Sequence, residues 1–337
     1  MHEQGENQAN RTSWTKILLT VIIAPIVVGI VSYTYEACID KKIAICVPSQ
    51  NTSTITEDLS PLLSPYRLAF ASIRDGNSEI YLINGDGTNV TRLTNNPADD
   101  FYASWSPDGS QLAFTSNRDG DCEIYIMNED GNGVRQLTYN EAYDCCPDWS
   151  PSGDKIAFNS NFPDGDQDIY VIGVDGSSLL NLTNFPGDDR SPKWSPDGTK
   201  IAFDARRDGQ PEIYFMNSDG SNQVRLTSHF TAQRNPYWSP NGSVLVYDSN
   251  QVYEQTDEEG DHDIYLMFID GTSQREITND PGEDKFPHWS PDGDYIAYIA
   301  LSDGNNEIVV MDWVGKQQTH IVADAAEYGG ADWRPIP

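Results

Sequence analysis

Residues 194–227 read WSPDGTKIAFDARRDGQPEIYFMNSDGSNQVRLT. After the Trp come three strand signals, KIAFDA, EIYFMN and VRLT, separated by turns that contain Gly. Asp-Gly between alternating apolar runs is a strong hairpin cue. With the Trp segment as the innermost strand, the unit makes four antiparallel strands. The unit recurs. Trp-Ser-Pro, then Asp, Ser or Asn, then Gly, stands at Trp105, Trp149, Trp194, Trp238 and Trp289, and a degenerate Trp-Arg-Pro stands at Trp333. The intervals are 44, 45, 44, 51 and 44 residues, near the roughly 40–45 residues of one four-stranded propeller blade.

The ends of the array set the number of blades. Strand pairs of the IAF and EIY type begin near Arg67, Gln111, Lys155, Lys200, Val244 and Tyr295, the first without a preceding Trp segment. The last Trp segment, at Trp333, has no pair after it. The economical solution joins the two, so that the C-terminal strand becomes the innermost strand of the first blade and no sheet edge is left open. The sequence therefore predicts an all-β, six-bladed β-propeller closed by its C-terminal strand. Its units closely resemble the repeat of the TolB-type propeller over about residues 66–337. That resemblance implies an extracytoplasmic location and a protein partner at the cell envelope. In TolB itself an α/β domain precedes the propeller, and the protein docks a peptidoglycan-associated lipoprotein. Related repeats also occur in peptidase propellers and sugar-active enzymes.

Here the preceding segment is different. From Ile17 to Tyr35 the chain has nineteen uncharged residues, ILLTVIIAPIVVGIVSYTY, close to the roughly 20 needed for a membrane-spanning helix. The expected layout is a short tail at 1–16, one transmembrane helix at 17–35, a Ser/Thr-rich tether at 36–65 and the propeller at 66–337. A cleaved signal peptide is the alternative, but the following YEAC lacks the small-residue pattern of a cleavage site. Arg11 and Lys16 before the span balance Lys41 and Lys42 after it, so orientation rests on the cysteines and on the resemblance. Both point to a single-pass membrane protein with its propeller on the extracytoplasmic side.

Charge narrows the partners. Lys+Arg 21 against Asp+Glu 52 gives a net charge of −31, which repels phosphate backbones, so nucleic acid is not an expected partner. The hydrophobic fraction, 38%, suffices for a folded core.

Comparing the six copies separates what each blade needs from what one blade adds. The acid opening the third strand is Glu79, Glu123, Asp168, Glu212, Asp263 and Glu307; present in every blade, it serves the blade, and Arg74, Arg118 and Arg207 are candidate partners. The Trp residues read as packing plates between blades. The loop entering each Trp is where specialisation is expected. Five residues before Trp stand Asp100, Asp144, Asp189, Gln233, Asp284 and Tyr328, and six before stand Asp99, Tyr143, Asp188, Ala232, Glu283 and Glu327. Arg190, Arg234 and Lys285 lie four before theirs. The expectation is an acidic channel mouth that attracts cations or basic peptide segments. Phe101, Tyr102, Tyr143, Phe286 and Tyr328 would supply the aromatic contacts favoured at interfaces.

The long interval reflects an insertion in the fifth blade, NQVYEQTDEEGDHD. Asp257, Glu259, Asp261 and Asp263 alternate there as calcium ligands would, although without EF-hand spacing; calcium is the one cofactor for which the sequence offers a loop. Cys38 and Cys46 are spaced to close a short loop beyond the span. Topology places Cys122, Cys145 and Cys146 on the mouth side, with a bond expected from Cys122 to one of the other two. Among enzymes, a propeller-type serine peptidase is excluded by the missing Gly-x-Ser-x-Gly elbow, and the five His show no zinc spacing. A carbohydrate-active hydrolase or lyase with carboxylates in the mouth is the alternative to a binding scaffold, with His229 and His288 the first to test.

Overall fold

The computed structural model describes residues 59–336 apart from 164, 253–258, 280, 303 and 326–328. Six four-stranded antiparallel sheets follow one another in chain order. Their innermost strands are Asp332–Trp333, Asp100–Trp105, Asp144–Trp149, Asp189–Trp194, Gln233–Trp238 and Asp284–Trp289, which head blades one to six. Blade one is composite. Its outer strands are Arg67–Ser72, Glu79–Asn84 and Thr91–Arg92, while its innermost strand comes from the far end of the chain, pairing Leu68 with Trp333 and Ala69 with Asp332. The propeller closed by its C-terminal strand is thus observed. The anchor expected at Ile17–Tyr35 lies outside the described residues, as do Cys38 and Cys46. No helix among the described residues is long and apolar enough to cross a membrane.

The core lies between blades. Trp194 packs with Ile201, Phe203 and Met216 of its own blade and with Ala157, Ile169 and Leu182 of the preceding one. Each strand buries one face against the next sheet, so the alternating IAF and EIY patterns fill successive interfaces. The indole of Trp238 donates to the carbonyl of Lys193 at 2.9 Å, and that of Trp333 donates to the carbonyl of His288 at 3.1 Å. At these two positions the Trp is packing plate and inter-blade hydrogen-bond donor together, whereas the indole N–H of Trp105, Trp149, Trp194 and Trp289 is buried without such an acceptor, so packing is the role all six share.

The acids opening the third strands are buried in blades one to five, with Glu307 of blade six half-buried, and their partners differ from those expected. Glu79 meets Arg92 and Glu212 meets Arg225, each at 2.6 Å, with the arginine on the fourth strand. Arg118 and Arg207 turn instead to Asp100 and Asp189. The boundary at residue 66 also moves. Leu59 and Leu63, around a helical turn at Ser60–Leu63, are buried in the cluster that holds Trp333 and Ile299, so the last residues assigned to the tether are part of the propeller's packing.

Candidate functional site

Every innermost strand from blade two to blade six carries the same irregularity. The register slips between the residue four before Trp and the residue one before it: Phe101/Ser104, Cys145/Asp148, Arg190/Lys193, Arg234/Tyr237 and Lys285/His288. The residue three before Trp takes a positive φ of 52–60° in each: Tyr102, Cys146, Ser191, Asn235 and Phe286. A bulge gives one strand an extra residue and re-aims its side chain. Non-Gly residues in this region are uncommon and recur at functional sites. In blade one the equivalent residue is Gly330, where a Cβ would fall 2.7 Å from the carbonyl oxygen of Phe286. Pro at the next position in blades three to six costs nothing, because the innermost strand has no inner neighbour to receive its N–H.

The bulges line a cavity of about 500 Å³ at the channel mouth. Tyr102, Tyr143, Asp188, Arg190, Arg234, Lys285 and Phe286, all expected there, border it. Asp204, Asp248, His262, Asn159, Gln167 and Arg206, which the loop comparison omits, border it too. Asn159, Asp204 and Asp248 occupy the fifth position of the second strand, where blade one has Ala71 and blade six Ile299. A polar residue inside an otherwise apolar strand repeat was the available signal. The polar wall belongs to blades three to five.

The mouth is not the acidic rim expected from sequence. Asp100, Asp144 and Asp189 are 0% exposed and Asp284 is 2% exposed. Asp189 receives two parallel hydrogen bonds from Arg207, at 3.1 and 2.6 Å, while Arg118 holds Asp100 at 2.9 Å. Asn140 donates to Asp144 at 2.8 Å. These positions start a strand whose side chain turns into the blade, so Asp100, Asp144 and Asp189 tie the blade together. Asp99 receives the backbone N–H of Ser78 at 2.9 Å. Asp188 pairs with Arg190 at 2.7 Å, and Glu283 with Lys285 at 2.5 Å. Glu327 and Tyr328 lie outside the described residues. What borders the cavity is Arg190, Arg206, Arg234 and Lys285 against Asp188, Asp204 and Asp248. Burial pushes the Asp204 carboxyl up to about 7 despite the backbone N–H of Asn235. Asp248 faces His262 at 3.2 Å.

Below the mouth the channel narrows to a second polar set, formed by the residues immediately before each Trp. Asp148 meets Lys193 at 3.2 Å; Asp332 accepts from Tyr237 at 3.1 Å and faces His288 at 3.2 Å. The rings of Tyr237 and His288 stack at 4.3 Å. Burial pushes Asp148 up to about 6. For Asp332, burial is outweighed by His288 and Lys193, which hold it below the ordinary carboxylate range. His288 is therefore a waist residue, whereas His229 is exposed and bonded to Gln274. Beyond the waist, the six repeat Trp residues and their prolines ring a cavity of about 310 Å³ on the opposite face.

Of the calcium candidates, Asp263 is buried and accepts from the Thr278 hydroxyl at 3.4 Å, so it serves its blade. Asp261 is exposed, and Asp257 and the Glu259 side chain lie outside the described residues. Among the described residues, Asp119, Asp121 and Glu123 bring carboxylate oxygens within 4.8 Å of one another. Gln136 already donates to Asp119, and Thr138 and Asn140 to Glu123. The expected bond from Cys122 to Cys145 or Cys146 is not formed; all three are free thiols.

The chain is 43% identical over 61 residues to the Protein TolB homolog of Chlorobium luteolum, a match covering 18% of this chain and only 14% of that relative. The crystal structure of TolB from Acinetobacter baumannii superposes with a TM-score of 0.70 at 18% identity, over 81% of this chain and 68% of the other. An oligogalacturonate lyase in complex with manganese gives 0.55 at 17% identity, over 76% and 74%. At such identities these two structures show the fold alone. The family model of the TolB beta propeller domain matches residues 46–163 and 144–256, well over half of the sequence, and the chain belongs to that family.

Proposed function

We propose that the protein is an extracytoplasmic binding scaffold, tethered to the cell membrane through Ile17–Tyr35, whose channel mouth engages a segment of a protein or peptide partner. The observation that carries this reading is the cavity of about 500 Å³, which combines aromatic side chains with charged groups from several blades. Tyr102 and Phe286 meet edge to face at 6.3 Å across it, forming the aromatic centre that interface hot spots favour. Four cationic side chains border the cavity on a molecule of net charge −31. A partner segment with an apolar tip flanked by carboxylates fits this lining better than a basic one. The propeller family supports a protein-binding role and an extracytoplasmic location.

Affinity capture from crosslinked membranes tests the reading. The native chain should retain a discrete partner, and Arg190→Glu with Arg234→Glu should release it while the fold persists. Unchanged capture by the double variant would remove the mouth from the interface. The competing reading is a carbohydrate-active hydrolase or lyase. Its support is Asp204, a carboxyl held near neutrality inside the cavity, where a general acid or base works best. Glycan turnover lost in Asp204→Asn, with no partner captured, would favour it.

A further inference from the structure

In a regular strand, neighbouring side chains leave on opposite faces, so adjacent cysteines hold their sulfurs apart. Blade three departs from that rule. Its bulge slips the register between Cys145 and Asp148, and Cys146 takes φ +60°. The two sulfurs then stand 2.9 Å apart, both on the wall of the mouth cavity. The amide of Asn159 donates to Cys145 Sγ at 3.2 Å and orients it. The same bulge in blades two, four, five and six carries Phe101-Tyr102, Arg190-Ser191, Arg234-Asn235 and Lys285-Phe286. The backbone thus supplies the juxtaposition repeatedly, and the sequence fills it with two thiols once.

We propose that Cys145 and Cys146 form a reversible vicinal disulfide, an oxidation site in the channel mouth that takes a small-molecule disulfide as its oxidant. One cysteine thiolate attacks the external disulfide R–S–S–R, forming a mixed disulfide and releasing RS⁻. The neighbouring thiolate displaces the second RS⁻ and closes the Cys145–Cys146 bond. Two protein thiols lose two electrons, the external disulfide gains them, and the two protons end on the released thiols. Closure is favoured because the second thiol is already in place. Adjacent Cα atoms across a trans peptide are about 3.8 Å apart, short of the roughly 4.4–6.8 Å of ordinary disulfides. The bond is therefore strained and readily reduced, as regulatory disulfides are. Burial raises the Cys146 thiol, so oxidation speeds up as pH rises. Burial pushes the Cys122 thiol up in the same way, to about 12, so it is the 2.9 Å approach of the other two sulfurs that singles out Cys145 and Cys146.

The test uses the full-length chain, reduced, incubated with oxidised or reduced glutathione, then unfolded in denaturant, alkylated and mapped by mass. After oxidised glutathione, the peptide holding Cys145 and Cys146 should be unalkylated and lighter by two hydrogen atoms, with Cys122 alkylated. A mild reductant should restore alkylation at both sites. Cys122→Ser should leave the result unchanged, whereas Cys146→Ser should leave Cys145 alkylated or carrying glutathione. Alkylation of both neighbours after oxidation overturns the proposal, as does glutathione retained on both or a bond from either to any other cysteine.

Discussion

The carboxylate of Asp332 accepts the backbone N–H of Trp105 at 2.8 Å across 227 residues of sequence. Its equivalent in the middle of the ring, Asp148, accepts the N–H of Trp194 at 2.7 Å. Closure is therefore more than strand pairing within blade one, because the C-terminal segment also reaches into blade two. Arg334 extends the reach, donating to the carbonyl of Gly109 at 3.2 Å and lying over the Trp105 ring at 5.5 Å.

Asp332→Ala should open this clasp. It leaves Trp105 N–H and the Tyr237 hydroxyl buried without their acceptor, at about 1–3 kcal/mol for each orphaned group. Denaturant unfolding should show the loss in one cooperative transition; a midpoint within error of the native protein's would mean that closure does not depend on this residue. Trp333→Ala, which empties an inter-blade contact, should cost about 3–5 kcal/mol in the same experiment.

The two sets of mouth acids are separable by mutation. Arg207→Ala strips the bidentate partner from buried Asp189, a change that typically costs about 3–5 kcal/mol. Lys285→Ala removes a partly exposed pair with Glu283 worth no more than about 1 kcal/mol. Thermal melts of the two variants, run side by side, should differ widely. Similar melting temperatures would overturn the division between acids that hold the blade and charges that face the cavity.

The buried carboxyls set the sign of the pH dependence. Burial raises Glu123 and Asp204 to about 7 and Asp148 to about 6, above their ordinary values near 4. Between about pH 4 and 7 the folded chain holds more protons than the unfolded chain, so stability should increase as pH falls through that window. Burial also lowers the His288 imidazole below its ordinary value, so that group opposes the three carboxyls inside this window, one against three, and Asp332 too has the opposite sign. Its lowered value means stability present above the unfolded pKa and lost as pH falls through the folded one, below this window. Urea midpoints at pH 8 and pH 5 should therefore rise toward acid for the native protein and change less for Asp204→Asn. A native midpoint that drops between pH 8 and pH 5 would contradict the assignment.

Sequence periodicity alone reached far into the fold. Six Trp segments in register, an orphan strand pair at Arg67 and an orphan Trp at Trp333 left one closed solution, and the structure adopts it. The mouth was only partly legible. The loop positions of Arg190, Arg234 and Lys285 placed them correctly beside the cavity, because loop length is constant from blade to blade. The acids at Asp100, Asp144 and Asp189 did not follow, since sequence spacing locates a residue along a strand without saying which way its side chain points.

Repeat identity and ring closure are thus properties of the linear chain, written in hydrophobic alternation and in turn residues that act locally. Which carboxylates meet water, which sulfur meets which, and how the residues before each Trp converge at the waist were decided by tertiary structure. The bulge at Tyr102, Cys146, Ser191, Asn235 and Phe286 reverses side-chain direction within a strand. Blades on opposite sides of a channel become neighbours only once the ring has shut.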